Sequence, residues 1–209
     1  SFVLLSIPMF ILMGMAVANS PAGKDLYTGL DRWLWRVPGG LVISNIGACS
    51  IFAALSGSSP ATCAAIGTMG IPEMRKRGYS DQIATGTIAA GGTLGVLIPP
   101  SIVLIVYGMA TGTSIGRLFL AGIVPGFMLA SLFAVWALIH SYFIDKNAAK
   151  LLRNRKPPTL REKFEVLPRI FPFLAIIIGV LYVLYGGVAT PSEASGVGAF
   201  LVFVMIAVV

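Results

Sequence analysis

The chain has 209 residues, of which 56% are apolar and 11% charged, with 24 Gly and 13 Pro, whereas soluble domains carry about 25% charge and about 7% Gly. A mean hydropathy of +0.89 in a chain so poor in charge belongs to a protein dissolved in lipid, which excludes a secreted disulfide scaffold, a soluble enzyme and a disordered tail. The formal charge of +7 sits in short Lys/Arg clusters between apolar runs, with no basic–aromatic groove. It therefore speaks to membrane topology and against a nucleic-acid partner.

A transmembrane helix needs about 20 apolar residues to cross about 30 Å of hydrocarbon. Residues 2–18 form the first such stretch, with no initiator Met and no charged segment ahead of it, so it is not a signal peptide. The C-terminus stops inside an apolar run, and the chain is expected to be an excerpt of a longer membrane protein. Residues 25–37 carry Trp33 and Trp35 among Arg32 and Arg36, the makings of a helix lying in the interface. Residues 41–71 are apolar but interrupted at Ser56-Gly57-Ser58-Ser59-Pro60. The arms, 41–55 and 61–71, reach roughly 22 Å and roughly 16 Å at about 1.5 Å per residue, so neither crosses alone.

Residues 82–111 are interrupted at Gly91-Gly92-Thr93-Leu94-Gly95 and again at Pro99-Pro100-Ser101, both expected to end a helix. Residues 118–144 are long enough to cross with tilt. Residues 145–169 form a charged connector with Pro157-Pro158. Residues 170–185 cross if extended by a few positions, and residues 195–209 begin another span.

Three clusters hold every Lys and Arg except Arg117: Lys24, Arg32 and Arg36; Arg75, Lys76 and Arg77; and the positions from Lys146 to Arg169. With all three in the cytoplasm, 82–111 and 170–185 cross outward while 118–144 and 195 onward return. Residues 41–71 lie between two cytoplasmic clusters and must leave by the face they entered. They read as a re-entrant helical hairpin with the Ser-Gly-Ser-Ser-Pro break at its tip.

Backbone without helical partners is tolerated at membrane depth only when buried in protein or lining a watery cavity. Each break brings the carbonyls of one helix end and the amides of another to the midplane. Carbonyls suit a hard monovalent cation such as sodium, and amides suit a carboxylate. Ser59 reads as the N-cap of the second hairpin arm with Pro60 at its first position, and Pro99-Pro100-Ser101 starts the half-helix that follows. This is the half-site expected of a secondary transporter coupling an organic anion to a cation.

Four segments carry a family resemblance: Ser56-Gly57-Ser58-Ser59-Pro60-Ala61-Thr62; Ile71-Pro72-Glu73-Met74; Gly92-Thr93-Leu94-Gly95-Val96-Leu97-Ile98-Pro99-Pro100-Ser101; and Ala189-Thr190-Pro191-Ser192-Glu193-Ala194. In this order, and through essentially the whole chain, they resemble the large permease subunit of the tripartite ATP-independent periplasmic (TRAP) transporters. The resemblance implies an all-α, polytopic membrane protein with an inverted-repeat secondary transporter fold. That fold combines a re-entrant hairpin with a discontinuous helix and works as an elevator. It places the first inverted repeat at 1–145, a cytoplasmic linker at 146–169 and the first helices of a truncated second repeat at 170–209.

Carried over residue by residue, the family's first sodium site takes backbone oxygens of Ser56 and Ser58 from the hairpin tip and of Gly95, Ile98 and Pro100 from the broken helix. Ser59, Thr62 and Ser101, at the helix starts, are the candidate contacts for the substrate. The implied function is sodium-coupled import of an organic acid anion (a dicarboxylate, sialic acid or similar) across the bacterial inner membrane. The implied partners are a small membrane subunit and a periplasmic substrate-binding protein. A stand-alone sodium- or proton-coupled anion symporter of related architecture is the alternative. No Walker motif occurs, so ATP plays no part.

Other residues read as structural. Gly108, Gly112, Gly116, Gly122 and Gly126 suit close helix packing, and Cys49 and Cys63 are small apolar packing residues. Thr190-Pro191-Ser192-Glu193 is a capping box rather than a proton relay. His140 reads as an interface residue, and Arg117 as a snorkelling cation. An enzyme is not expected: a hydrolase using Ser58 or Ser59 would need a base within reach, and the one His lies on another segment.

Overall fold

Apolar runs punctuated by Gly, Pro and Ser fold as helices joined by short turns, and no strand occurs among the described residues of the computed structural model, which are 2–35, 37, 39–140, 159–165 and 167–208. A 3₁₀ turn, Phe2–Leu5, leads into α1 (Ser6–Ala18). Then come α2 (Pro21–Trp33), α3 (Gly40–Ser56), α4 (Ser59–Lys76), α5 (Asp81–Leu97), α6 (Ile102–Thr111) and α7 (Ile115–Ile139). The chain continues with α8 (Leu160–Glu165), α9 (Leu167–Tyr185) and α10 (Pro191–Val208). Residues 141–158, most of the expected linker with its Pro pair, lie outside the described residues.

The break at 56–60 is narrower than the sequence suggests: only Gly57 and Ser58 are non-helical. Two things close α3 there. Gly57 adopts a left-handed φ of 59°, which L side chains avoid and Gly adopts freely. Its amide then donates to Ala53 O at 2.8 Å. Ser58, not Ser59, is the N-cap of α4: it is extended and its hydroxyl accepts from the Ala61 amide at 3.5 Å, while Pro60 fills an early helical position where a missing N–H costs nothing.

The two arms run antiparallel, because Ser56 meets Thr62 at one end and Asn45 donates to Met74 Sδ at the other. At 17 and 18 residues the arms are about 25 and 27 Å long. They exceed the expected 41–55 and 61–71 because α4 continues through Pro72 to Lys76. Arm length therefore no longer separates a hairpin that turns back at mid-depth from two full crossings.

A second expectation is corrected. Gly91-Gly92-Thr93-Leu94-Gly95 does not break the helix; α5 runs unbroken to Leu97. Each Gly keeps its N–H, so the hydrogen-bond ladder survives, and a flanking helix covers the bare backbone. The interruption that does occur is Ile98-Pro99-Pro100-Ser101, between α5 and α6, with a cis Pro99–Pro100 bond. It divides the 31-residue apolar stretch Asp81–Thr111, which with the 25-residue α7 is long and apolar enough to cross a membrane.

The core lies where the hairpin meets its neighbours. α5 packs against both arms, α1 against α10 and α3, and α7 against α3 and α5. Phe10, Met13, Phe52, Leu55, Ile66, Leu94, Ile105 and Phe119 are fully buried there. The outer face of α7 is bare, with Val124 73% and Phe127 75% exposed, as suits a helix facing lipid or another protein surface. The expected interfacial helix is α2, displaced a few residues toward the N-terminus; Trp33 at its end is exposed.

Candidate functional site

The two breaks meet. Gly57 O accepts a hydrogen bond from the Ile102 amide at 3.0 Å, so the tip of the hairpin is stitched to the start of α6. The approach is close enough that a Cβ on Gly57 would stand 2.6 Å from Pro100 O. On the other side, a Cβ on Gly95 would stand 2.8 Å from both Ser58 C and Ser59 N. The glycines of α5 thus form a ridge under the hairpin: Gly91 against Cys49, Gly92 against Cys63 and the Ser59 carbonyl, and Gly95 against the tip. Gly14 of α1 closes over Ser56, and Gly122 and Gly126 of α7 lie against Leu97 and Ile98.

Prolines shape the carbonyl supply. The helical partner of any carbonyl is the amide four residues on. Ser56 is the last residue of α3, and the turn at Gly57 leaves its carbonyl beyond any helical amide. For Gly95 the partner residue is Pro99, which has no N–H to give. Val96 loses its partner to Pro100 in the same way, but its carbonyl is taken by the Ser101 hydroxyl at 2.7 Å. Ser58 O is already engaged, by the Thr62 amide at 3.0 Å and the Thr62 hydroxyl at 2.8 Å. The Ser56 hydroxyl sits 3.1 Å from Thr62 Oγ1 and 3.4 Å from Ser58 O. Ile98 and Pro100 lie in the non-helical link.

All five expected cation ligands and the three expected substrate contacts therefore fall in one region, but their side chains differ in availability. Thr62 and Ser101 are wholly buried with hydroxyls turned into the bonds just described. Ser59 Oγ is buried without a hydrogen-bond partner among the described residues. Those residues hold no cluster of His, Cys, Asp and Glu able to bind a metal, so a cation in this region would rely on backbone and hydroxyl oxygens.

The capping box of α10 forms: the Thr190 amide donates to Glu193 Oε2 at 2.8 Å and the Glu193 amide to Thr190 Oγ1 at 3.4 Å. Cys49 and Cys63 are free thiols packed on the α5 ridge. His140 packs against Trp136 with the rings tilted by 34° and their centroids 5.1 Å apart, and Arg117 is exposed. Gly108, Gly122 and Gly126 serve close packing, whereas Gly112 ends α6 with a left-handed φ of 70° and, like Gly116, has no close neighbour to accommodate.

Sequence reading passed over two features. Gly14, the lone Gly within α1, is what lets that helix reach the hairpin tip, and a Gly inside an otherwise large-residue run was the available signal. The second is an ion-pair network where α2 meets the end of α4. Arg77 bonds both oxygens of Asp31, at 3.2 and 3.0 Å, and Glu73 Oε1 at 2.6 and 2.9 Å. Burial pushes the Asp31 carboxyl above its ordinary value and the Arg77 guanidinium beside it pulls back without cancelling the effect. The Asp31–Arg77 pair is separated by 46 positions and has no local signature.

The family model of the tripartite ATP-independent periplasmic transporter, DctM component, matches residues 1–209. A C4-dicarboxylate TRAP transporter large permease protein of Vibrio cholerae is 40% identical over 204 residues, 97% of this chain and 43% of that protein. An ectoine TRAP transporter large permease protein of Halomonas elongata is 35% identical over 92% of this chain and 44% of its own length. A sialic acid TRAP transporter large permease protein of Vibrio cholerae is 32% identical over 95% and 45%. The chain spans under half the length of these curated relatives, all of them named as transport permeases and none as a hydrolase. Matched along its whole length, the chain belongs to the DctM-component family of tripartite ATP-independent periplasmic transporters.

Proposed function

We propose that this chain supplies the first inverted repeat and the opening helices of the second in a sodium-coupled importer of organic anions, working with a small membrane subunit and a periplasmic substrate-binding protein in the inner membrane. The observation that carries the reading is the meeting of two helix breaks at one place, with Gly57 O bonded to the Ile102 amide. Residues 98–101 divide the long apolar stretch Asp81–Thr111, so a hairpin tip packed on them lies between the two membrane faces. Basic clusters at both ends of the hairpin send it back to the side it came from. These two points support a re-entrant hairpin where arm length does not.

Ser56 O at the open end of α3 and Gly95 O, deprived of its helical donor by Pro99, are the natural ligands for sodium, with Ile98 and Pro100 contributing from the link. Ser58 O joins the cage when the Thr62 hydroxyl turns away from it. Ser59, with its uncommitted hydroxyl at the start of α4, faces the substrate better than Thr62 or Ser101 do. The anion then meets amides at helix N-termini, where the helix dipole favours negative charge. Relatives named for C4-dicarboxylates and sialic acid make carboxylates the first substrates to try, with ectoine as a zwitterionic comparison.

The test is uptake into proteoliposomes by the full-length protein with its small subunit and binding protein. Sodium is replaced by choline in one arm and the binding protein omitted in another. Sodium- and binding-protein-dependent accumulation is expected. Uptake indifferent to sodium would overturn the coupling, and uptake undiminished without the binding protein would favour a stand-alone symporter.

A further inference from the structure

At the end of the hairpin remote from the breaks, α4 meets α2 around a cavity of about 460 Å³. Tyr27, Asp31, Glu73, Lys76 and Arg77 line it, with Met69 and Pro72 as an apolar flank. Three polar groups here are uncommitted among the described residues. Glu73 meets Arg77 through Oε1 alone, which leaves Oε2. Lys76 is exposed and makes no ion pair. Tyr27 is 5% exposed, yet its hydroxyl has no hydrogen-bond partner, although buried phenols ordinarily find one. Burial pushes this phenol above its ordinary value, so it remains a donor.

The four charged groups lining the cavity cancel. A bare anion would meet the carboxylates as well as the cations, whereas a ligand of both signs satisfies each group left over. We propose that this cavity binds a phospholipid headgroup of the phosphoethanolamine type, its ammonium donating to Glu73 Oε2 and its phosphate accepting from Lys76 and the Tyr27 hydroxyl. The lipid source follows from position. α2 carries an exposed Trp33 and ends among the basic residues expected at the cytoplasmic surface, the level at which lipid headgroups lie. Met69 and Pro72 then lie beside the glycerol and upper acyl carbons. The inference rests on α2 being interfacial and is independent of sodium coupling.

Native mass spectrometry tests it. The full-length protein is released from vesicles holding equal dioleoyl phosphatidylethanolamine, phosphatidylcholine and phosphatidylglycerol; a second arm offers soluble glycerophosphoethanolamine. Phosphatidylethanolamine should be retained about tenfold over phosphatidylcholine, whose methylated nitrogen donates nothing to Glu73, a difference of one charge-assisted hydrogen bond. Glu73→Gln should erase that preference. Lys76→Gln and Tyr27→Phe remove no hydrogen bond or ion pair made among the described residues, and each should lower phosphatidylethanolamine retention several-fold. Equal retention of all three lipids, or undiminished retention by both of these variants, overturns the site. Phosphatidylglycerol held as well as phosphatidylethanolamine overturns the zwitterion, and soluble ligand held without any lipid preference overturns the membrane source.

Discussion

The glycine ridge of α5 yields a graded prediction. In Gly95→Ala the new methyl would stand 2.8 Å from two backbone atoms of Ser58 and Ser59, where ordinary contact begins at 3.4 Å. The hairpin tip must retreat by roughly 0.6 Å, about three times the positional tolerance of about 0.2 Å for a metal ligand. Overpacking of this kind costs about 1–3 kcal/mol, set against about 1 kcal/mol gained in helix propensity. Gly86, on the same helix, has nothing within 4 Å, so Gly86→Ala should show the propensity gain alone. Gly92→Ala falls between, because it meets the end of the Cys63 side chain, which can turn aside or be removed by Cys63→Ala. Thermal unfolding of the full-length protein should rank the variants Gly86→Ala, Gly92→Ala, Gly95→Ala, and sodium-stimulated uptake should fail first in Gly95→Ala. Uptake by Gly95→Ala matching Gly86→Ala, with the same sodium dependence, would refute the idea that this close approach sets the carbonyl geometry.

Two further outcomes are expected. Ser56→Pro should abolish sodium-stimulated uptake by distorting the end of α3, while Ser58→Ala removes only a weak cap of 3.5 Å and should do less; equal and complete losses would point to side-chain chemistry instead. Asp31→Asn should lower the thermal midpoint by an amount equivalent to about 1–3 kcal/mol, because Arg77 keeps Glu73 but loses a charged partner that is mostly buried. An unchanged midpoint would show that the network does not hold α2 to the hairpin.

Where the sequence was informative, the signal was local. Pro60 just after Gly57-Ser58 and the adjacent Pro99-Pro100 pair marked the breaks near 57 and 98, and Thr190–Glu193 a capping box, whereas the isolated Pro72, Pro125 and Pro172 are carried inside helices. Gly, too, permits a bend without requiring one. The run 91–95 therefore looked like an interruption, and only the hairpin packed over it shows why the helix stays intact. The N-cap slipped from Ser59 to Ser58 for a related reason: adjacent serines offer the same hydroxyl, and the turn set by Gly57 chooses between them.

Composition and proline spacing alone determined that this is a helical membrane chain with two interrupted segments and basic residues gathered between apolar runs. Hydropathy and missing donors are properties of a residue itself. Tertiary structure decided that the two interruptions touch, that Gly14, Gly95, Gly122 and Gly126 clear the space for them, and that Arg77 reaches Asp31. Such contacts depend on the relative placement of helices far apart in sequence, and a one-dimensional pattern carries no distance between them.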